Sequence, residues 1–332
     1  MRLYELRPGS DALFSAERSA PAVGPGEVKV RVRAVSLNHR DLKVAKNTAR
    51  KAPLIPVSDG AGEVVEVGAG VTRWKVGDRV VASFFPTWLS GPLSDFHHAN
   101  ALGGGRDGML AEEVVLPEAS WIRIPDHLGY EEASTVPCAG LTAWHALFEA
   151  ATVHPGDTVL LQGTGGVSIF GLQLAKVAGA EVILTTSSED KARRARELGA
   201  DHVLDYKRDP DWGKTARALT GGRGVDLVVD VGGPGTFDQS TAALRYGGTM
   251  SILGVLTGTS GPVNTYAIFY RTLRVLGIYV GSVEMAGRFT RALTEAELHP
   301  IIDWVFPFAE AAKAYQHLAS GSHFGKVVIR VG

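Results

Sequence analysis

The chain has a single cysteine, Cys138, among its 332 residues. One thiol cannot close an internal disulfide, which excludes a disulfide-stapled fold and suits a reducing compartment such as the cytoplasm. Net charge is nearly absent as well: 34 basic and 35 acidic residues sum to −1. That balance argues against nucleic acid or an anionic membrane as the main partner. No apolar run is long enough to span a bilayer, and the opening MRLYELRPGSDALF lacks the apolar core of a signal peptide. Repeats and low-complexity tracts are missing too. Glycine is the exception, with 40 residues, well above the roughly 7% average. Such an excess means many tight turns or close backbone approaches, as nucleotide-binding enzymes use.

The length exceeds what one core usually needs, so two domains are expected. In the first third, EVKVRVRAVSL alternates Val28, Val30, Val32 and Ala34 with Lys29, Arg31 and Arg33, the period of a half-buried strand. Further short strands follow at close spacing, which predicts a small β barrel or sandwich. From about Tyr130 the texture changes to strands alternating with helices, the order of a doubly wound parallel sheet.

Between the strand DTVLLQ and the next helix stands the turn Gly163-Thr164-Gly165-Gly166-Val167-Ser168. Bare backbone there can approach a pyrophosphate, and the helix N-terminus favours its charge. The glycine pattern alone is weak; the flanking strand, helix and second strand carry the reading. At the end of that second strand a carboxylate would bind the ribose 2′-hydroxyl of NAD. Thr186, Ser187 and Ser188 stand there instead, with Lys191 one turn on. Hydroxyls and an ammonium suit the 2′-phosphate of NADPH, with NADH the less favoured cofactor. The same residues are also good helix-start chemistry, since Ser188 precedes Glu189 and Asp190.

The segments SLNHRDL, PLIPVSDGAGEVVEVGAGVTRWKVGDRVV, PCAGLTAW, GTGGV and GSHFGKVVIRV together resemble the medium-chain dehydrogenase/reductase superfamily over essentially the whole chain. Within it the chain resembles the zinc-independent, quinone oxidoreductase-like branch. The resemblance implies an α/β fold: a GroES-like β-rich catalytic domain from residues 1–128 and 283–332, and a Rossmann domain from 129–282. In the zinc alcohol dehydrogenases of this family three side chains hold a catalytic metal. Cys138 falls on the third position, but Asn38 and Ser58 stand on the first two. An amide and a hydroxyl do not replace thiolate and imidazole. The four-cysteine structural zinc lobe is also missing. His39, Asp41, Asp59, His97 and His98 are the remaining candidate ligands, and none has convincing spacing, so no metal is expected.

Without a Lewis acid, the expected chemistry is hydride transfer from NADPH to a small, already electrophilic molecule, a quinone or an α,β-unsaturated carbonyl compound. Asn38 is the candidate donor to the developing oxyanion. Arg40 stands where the zinc enzymes have a proton-relay hydroxyl, and Cys138 is implied to line the site beside the nicotinamide. By position the resemblance also implies cofactor contacts from Thr142, Tyr206, Val231, Gly254, Val255, Phe324, Gly325 and Lys326. Phe85, Trp88, Leu89 and Phe269 are the candidate substrate-pocket walls. A zinc-free aldehyde or ketone reductase and a non-catalytic NADPH-binding protein are the competing readings. An apolar edge strand within Leu273–Val280 suggests a homodimer.

Overall fold

The computed structural model describes all 332 residues. They form two compact units, one from Met1–Leu141 with Val280–Gly332, the other Thr142–Tyr279. The first boundary lies beyond the expected 128/129. The reason is the stretch Val136–Gly140, wound as a π-helix, which stays with the first unit: the Cys138 N–H donates to Asp59 Oδ2 at 3.1 Å.

The first unit is built on a sheet whose neighbours run Ile302–Pro307, Lys326–Arg330, Glu27–Leu37, Asp59–Val67, Arg79–Ala82 and Trp121–Arg123, with Glu113–Pro117 also paired to Glu27–Leu37. Strand Glu27–Leu37 organises it. Val28, Val30, Val32 and Ala34 are buried, as their alternation predicts. The alternation then gives way to three consecutive buried residues, Val35, Ser36 and Leu37, because both faces of the strand end are covered. Register places Ser36 opposite Asp59 on one neighbour and Leu37 opposite Val327 on the other. Three strand ends therefore converge just before Asn38, which precedes helix His39–Lys46.

The second unit is a six-stranded parallel sheet in the order His202–Asp205, Glu181–Thr186, Thr158–Gln162, Val225–Asp230, Leu244–Ile252, Arg274–Gly277. Counted in chain order this is 3-2-1-4-5-6, the doubly wound arrangement that binds dinucleotides at the carboxyl ends of its strands. The central strands Thr158–Gln162 and Val225–Asp230 are buried along their whole length, which is why they read as continuous apolar runs. Arg274–Gly277 is an edge strand. No helix of the structure is long and apolar enough to cross a membrane.

Several helices lie outside the segments read from the sequence, among them Asp95–Ala99 and Val283–Glu295. Asp95–Ala99, capped by Ser94, lies in a stretch whose glycines and prolines suggest only loop. Val283–Glu295 has its buried residues Ala286, Phe289 and Leu293 at helical spacing, so the signal was present.

Candidate active site

In the parallel-sheet unit, the turn after strand Thr158–Gln162 is shaped by glycine. Gly163 has φ +73°, a left-handed conformation that a side chain disfavours. Gly165 precedes helix Gly166–Val177 in extended conformation, with no side chain capping the helix. A Cβ at Gly163 or Gly165 would meet nothing within 4 Å, so the backbone faces open space. An uncapped helix N-terminus beside open space fits a pyrophosphate, at about 0.3–1 kcal/mol from the helix dipole and more where partly buried.

Thr164 and Thr186 are buried, while Ser187 and Lys191 are half-buried. Ser187 Oγ lies 3.1 Å from the Tyr206 hydroxyl, so the ends of two neighbouring strands bring these residues together. Ser188 caps helix Glu189–Glu197, accepting from the Lys191 N–H at 3.4 Å. Strand Glu181–Thr186 ends without a carboxylate, and Glu189 and Asp190 of the next helix engage Arg196 and Arg193 respectively.

Sequence reasoning missed a buried network that sets the neighbouring strand ends. Asp230, 1% exposed, accepts from Gln162 Nε2, Ser240 Oγ, Thr236 Oγ1 and the Gly233 N–H at 2.6–3.0 Å. Gln162 Oε1 in turn accepts from the Val231 and Gly232 N–H groups, both at 3.2 Å. A buried carboxylate needs such donors. Gly254 packs so closely that a Cβ would stand 2.2 Å from the Val231 carbonyl oxygen. Val231, Gly254 and Val255 thus sit together at the sheet's carboxyl edge. Thr142 opens this unit and is 5% exposed. Phe269 lies elsewhere: it is 77% exposed, on helix Thr265–Tyr270, which buries none of its residues.

In the other unit the converging strand ends gather Asn38, Asp41, Ser58, Asp59, Cys138 and Lys326. The Asn38 N–H donates to Asp41 Oδ2 at 2.7 Å, closing the first turn of its helix. Lys326 Nζ donates to Asn38 Oδ1 and to the Leu37 carbonyl oxygen, each at 2.6 Å. Asp59 accepts from Ser58 Oγ at 2.7 Å and from the Cys138 N–H at 3.1 Å. Asn38 Nδ2 faces Asp59 closely enough to favour its ionised form, yet it is buried without a well-formed hydrogen bond.

Burial dominates the electrostatics. It pushes Asp41 up to about 6, against the pull of Arg40 and the Asn38 N–H, with the Asp59 charge adding to the rise. Asp59 is raised by the same loss of hydration, opposed chiefly by Lys326. Lys326 is drawn below the usual lysine value by burial, and Asp59 opposes that. Burial lifts the Cys138 thiol well above its ordinary range, with Asp59 adding, so it stays protonated at neutral pH and is no nucleophile.

These residues do not fit a catalytic zinc. Such an ion needs three electron-pair donors. The Asn38 carbonyl oxygen already faces an ammonium and Ser58 donates to Asp59, so two of the three positions are committed to other partners. The remaining candidates do not gather around a common point: no group of three or more His, Cys, Asp or Glu side chains could hold a metal. His97 instead stacks on Trp88 at 6.4 Å between ring centroids.

Arg40 donates to the Leu102 carbonyl oxygen at 2.8 Å and lies over the Phe84 ring at 4.6 Å, with Asp41 3.8 Å away. Phe85 is fully buried and meets Trp88, 3% exposed, edge to face at 5.8 Å. Leu89 is exposed. Phe324 is buried. Gly325 has φ +80°, and a Cβ there would stand 2.4 Å from the Ile301 carbonyl oxygen. Only glycine lets the chain reach Lys326 by this path.

Residues 24–126 match the alcohol dehydrogenase GroES-like domain, and residues 166–297 the zinc-binding dehydrogenase family. A zinc-type alcohol dehydrogenase-like protein of Schizosaccharomyces pombe is 40% identical over 97% of this chain and 96% of its own. A quinone oxidoreductase of Pseudomonas aeruginosa is 33% identical, with the same coverages of 97% and 96%. Among solved structures, an NAD-dependent alcohol dehydrogenase has a TM-score of 0.91 at 38% identity, covering 100% of both chains. A crotonyl-CoA carboxylase/reductase in complex with NADP has a TM-score of 0.87 at 25% identity, over 100% of this chain and 95% of that one.

Asp41 gives this site a pH signature. Its folded pKa of about 6 lies above its ordinary 3.8, so between these values the folded state keeps a proton that the unfolded chain has lost. Stability from this group therefore falls as pH rises from about 4 to 6, by about 3 kcal/mol in all, and Asp59 adds in the same direction. Asp41→Asn removes the Asp41 share. Urea midpoints of variant and wild type should diverge in the variant's favour over that window; parallel curves would contradict the assignment.

Proposed function

For a chain that belongs to the medium-chain dehydrogenase/reductase superfamily, we propose zinc-independent, NADPH-dependent reduction of quinones or α,β-unsaturated carbonyl compounds. The observation that carries this reading is the Lys326 ammonium against Asn38 Oδ1, at the position where a metal ion would need an electron-pair donor. A site without a Lewis acid is poorly suited to ionising an alcohol, but adequate for an acceptor that is already electrophilic.

Bound NADPH would supply a hydride, with its electron pair, to the β-carbon of an enone and so become NADP⁺. The alkene π pair then moves toward the carbonyl, and the negative charge gathers on oxygen. Asn38 Nδ2, a buried donor that faces Asp59 without a well-formed hydrogen bond, is the group that meets this oxyanion. One oxyanion donor contributes about 10²–10³ in kcat. The α-carbon afterwards takes a proton from solvent. Cys138 neither attacks nor ionises, and Arg40 is held by Leu102 and Phe84.

NADPH is favoured over NADH by the missing carboxylate after strand Glu181–Thr186 and by Ser187, Tyr206 and Lys191 around that point. The relatives include proteins named for either dinucleotide, so the preference rests on these side chains. The test is oxidation of NADPH and NADH after exhaustive chelation, across quinones, enones, aldehydes and ketones. Enones or quinones should turn over with NADPH preferred, and Lys191→Ala should lower kcat/KM for NADPH about tenfold to a hundredfold while sparing NADH. Tight NADPH binding with no turnover would instead make this a non-catalytic binding protein.

A homodimer is part of the same proposal. Edge strand Arg274–Gly277 is accompanied by exposed Tyr246, Tyr266, Phe269 and Tyr270. An unpaired edge with exposed aromatics beside it favours pairing with a second copy. Sedimentation should give twice the chain mass, and Phe269→Asp with Tyr270→Asp should give the monomer. A monomeric wild type would refute the pairing.

A further inference from the structure

The role given to Asn38 depends on which way its side chain is turned, because an amide accepts at one end and donates at the other. Lys326 governs that choice. The residue is 3% exposed, and its Nζ is engaged by Asn38 Oδ1 and the Leu37 carbonyl oxygen. An ammonium has three donors and no acceptor, so turning the amide over would set NH₂ against NH₃⁺ and leave the Leu37 carbonyl oxygen as the remaining acceptor of the two for the cation. At the amide's other end lies the Asp59 carboxylate. Cation, carbonyl, amino group and carboxylate thus follow one another in a single polar order.

The lysine is itself fixed. Its N–H donates to the Ile301 carbonyl oxygen at 3.0 Å, and pairing of Val327 with Leu37 holds the strand that carries it. A group this enclosed, with two close carbonyl partners in its own unit, is not presented to a phosphate. The family resemblance implies a cofactor contact at this position; the geometry points elsewhere.

We propose that Lys326 is a positioning residue: it locks the Asn38 amide with Oδ1 inward, leaves Nδ2 as the donor, and polarises that donor toward the substrate oxyanion. This rests on the reading of Asn38 given above. A hydrogen bond from a cation to Oδ1 strengthens donation at Nδ2, since linked bonds in a low-dielectric site reinforce one another.

The test is a double-mutant cycle with Asn38→Ala, Lys326→Met and their combination. Lys326→Met should lower kcat about 10- to 100-fold while the NADPH KM stays within about twofold. In the Asn38→Ala background the same change should cost less than about twofold, because the group it positions is gone. Lys326→Arg keeps a donor-only cation, should retain kcat within about tenfold, and guards against a Met variant that does not fold. Full additivity, or a raised NADPH KM at unchanged kcat, would overturn the proposal. A second readout needs no substrate. In protein labelled with ¹⁵N-asparagine, the Asn38 side-chain NH₂ signals should move toward free-amide shifts in Lys326→Met. Unmoved signals would refute the lock, even if the enone reading itself fails.

Discussion

The ammonium of Lys326 lies 2.6 Å from Asn38 Oδ1, and a cation in that place decides what charges the surrounding strand ends can hold. Removing an ion from water costs several kcal/mol unless partners replace the lost hydration. The fold supplies two carbonyl oxygens and the nearby Asp59 charge. Asp59 needs donors of its own and finds them in Ser58 and the backbone of Cys138. A further dication would meet the ammonium and find the Asn38 oxygen and the Ser58 hydroxyl already engaged. The position that carries a metal ligand in the zinc enzymes thus holds a neutral amide, its oxygen against Lys326 and its nitrogen toward Asp59.

Sheet register makes this arrangement possible. Asp59 stands opposite Ser36, and Val327 opposite Leu37, so the end of one strand is flanked by a carboxylate and by the lysine preceding Val327. Gly325 then permits an approach to Ile301 that no other residue tolerates. The parallel-sheet unit works by different means. Its turn at Gly163–Gly166 offers backbone rather than charge, and its strand ends are held by Asp230 and Gln162 from beneath. One unit thus presents open backbone at a helix start, the other buried charge gathered around one amide.

Much of this was legible in the sequence because it is local. The alternation from Val28 to Ala34, the glycine turn, and the absence of an acid near Ser187 each lie within about one element and obey periods of two or 3.6 residues. Asn38 could be singled out by the resemblance of its motif. Lys326 could not be given its partner, because 288 residues separate it from Asn38 and no pattern spans that distance. By resemblance it reads as a cofactor contact at the end of a glycine-containing loop. The Asp230 network escaped for the same reason, its members coming from two strands, a turn and a helix. Phe269 was misleading in a different way: an aromatic residue in an apolar run suggests a wall, and here it stands in the open.

The most direct test follows the fate of the hydride in metal-free protein. After chelation, with zinc verified as far below one per chain, NADPH deuterated at the transferable C4 position is turned over with a cyclic enone. The product is then read by mass spectrometry and NMR. Metal-free hydride addition to the enone places deuterium on the β-carbon of a saturated ketone, at a rate that added Zn²⁺ does not raise. Deuterium on the carbonyl carbon, or turnover that appears only when Zn²⁺ is restored, would contradict it.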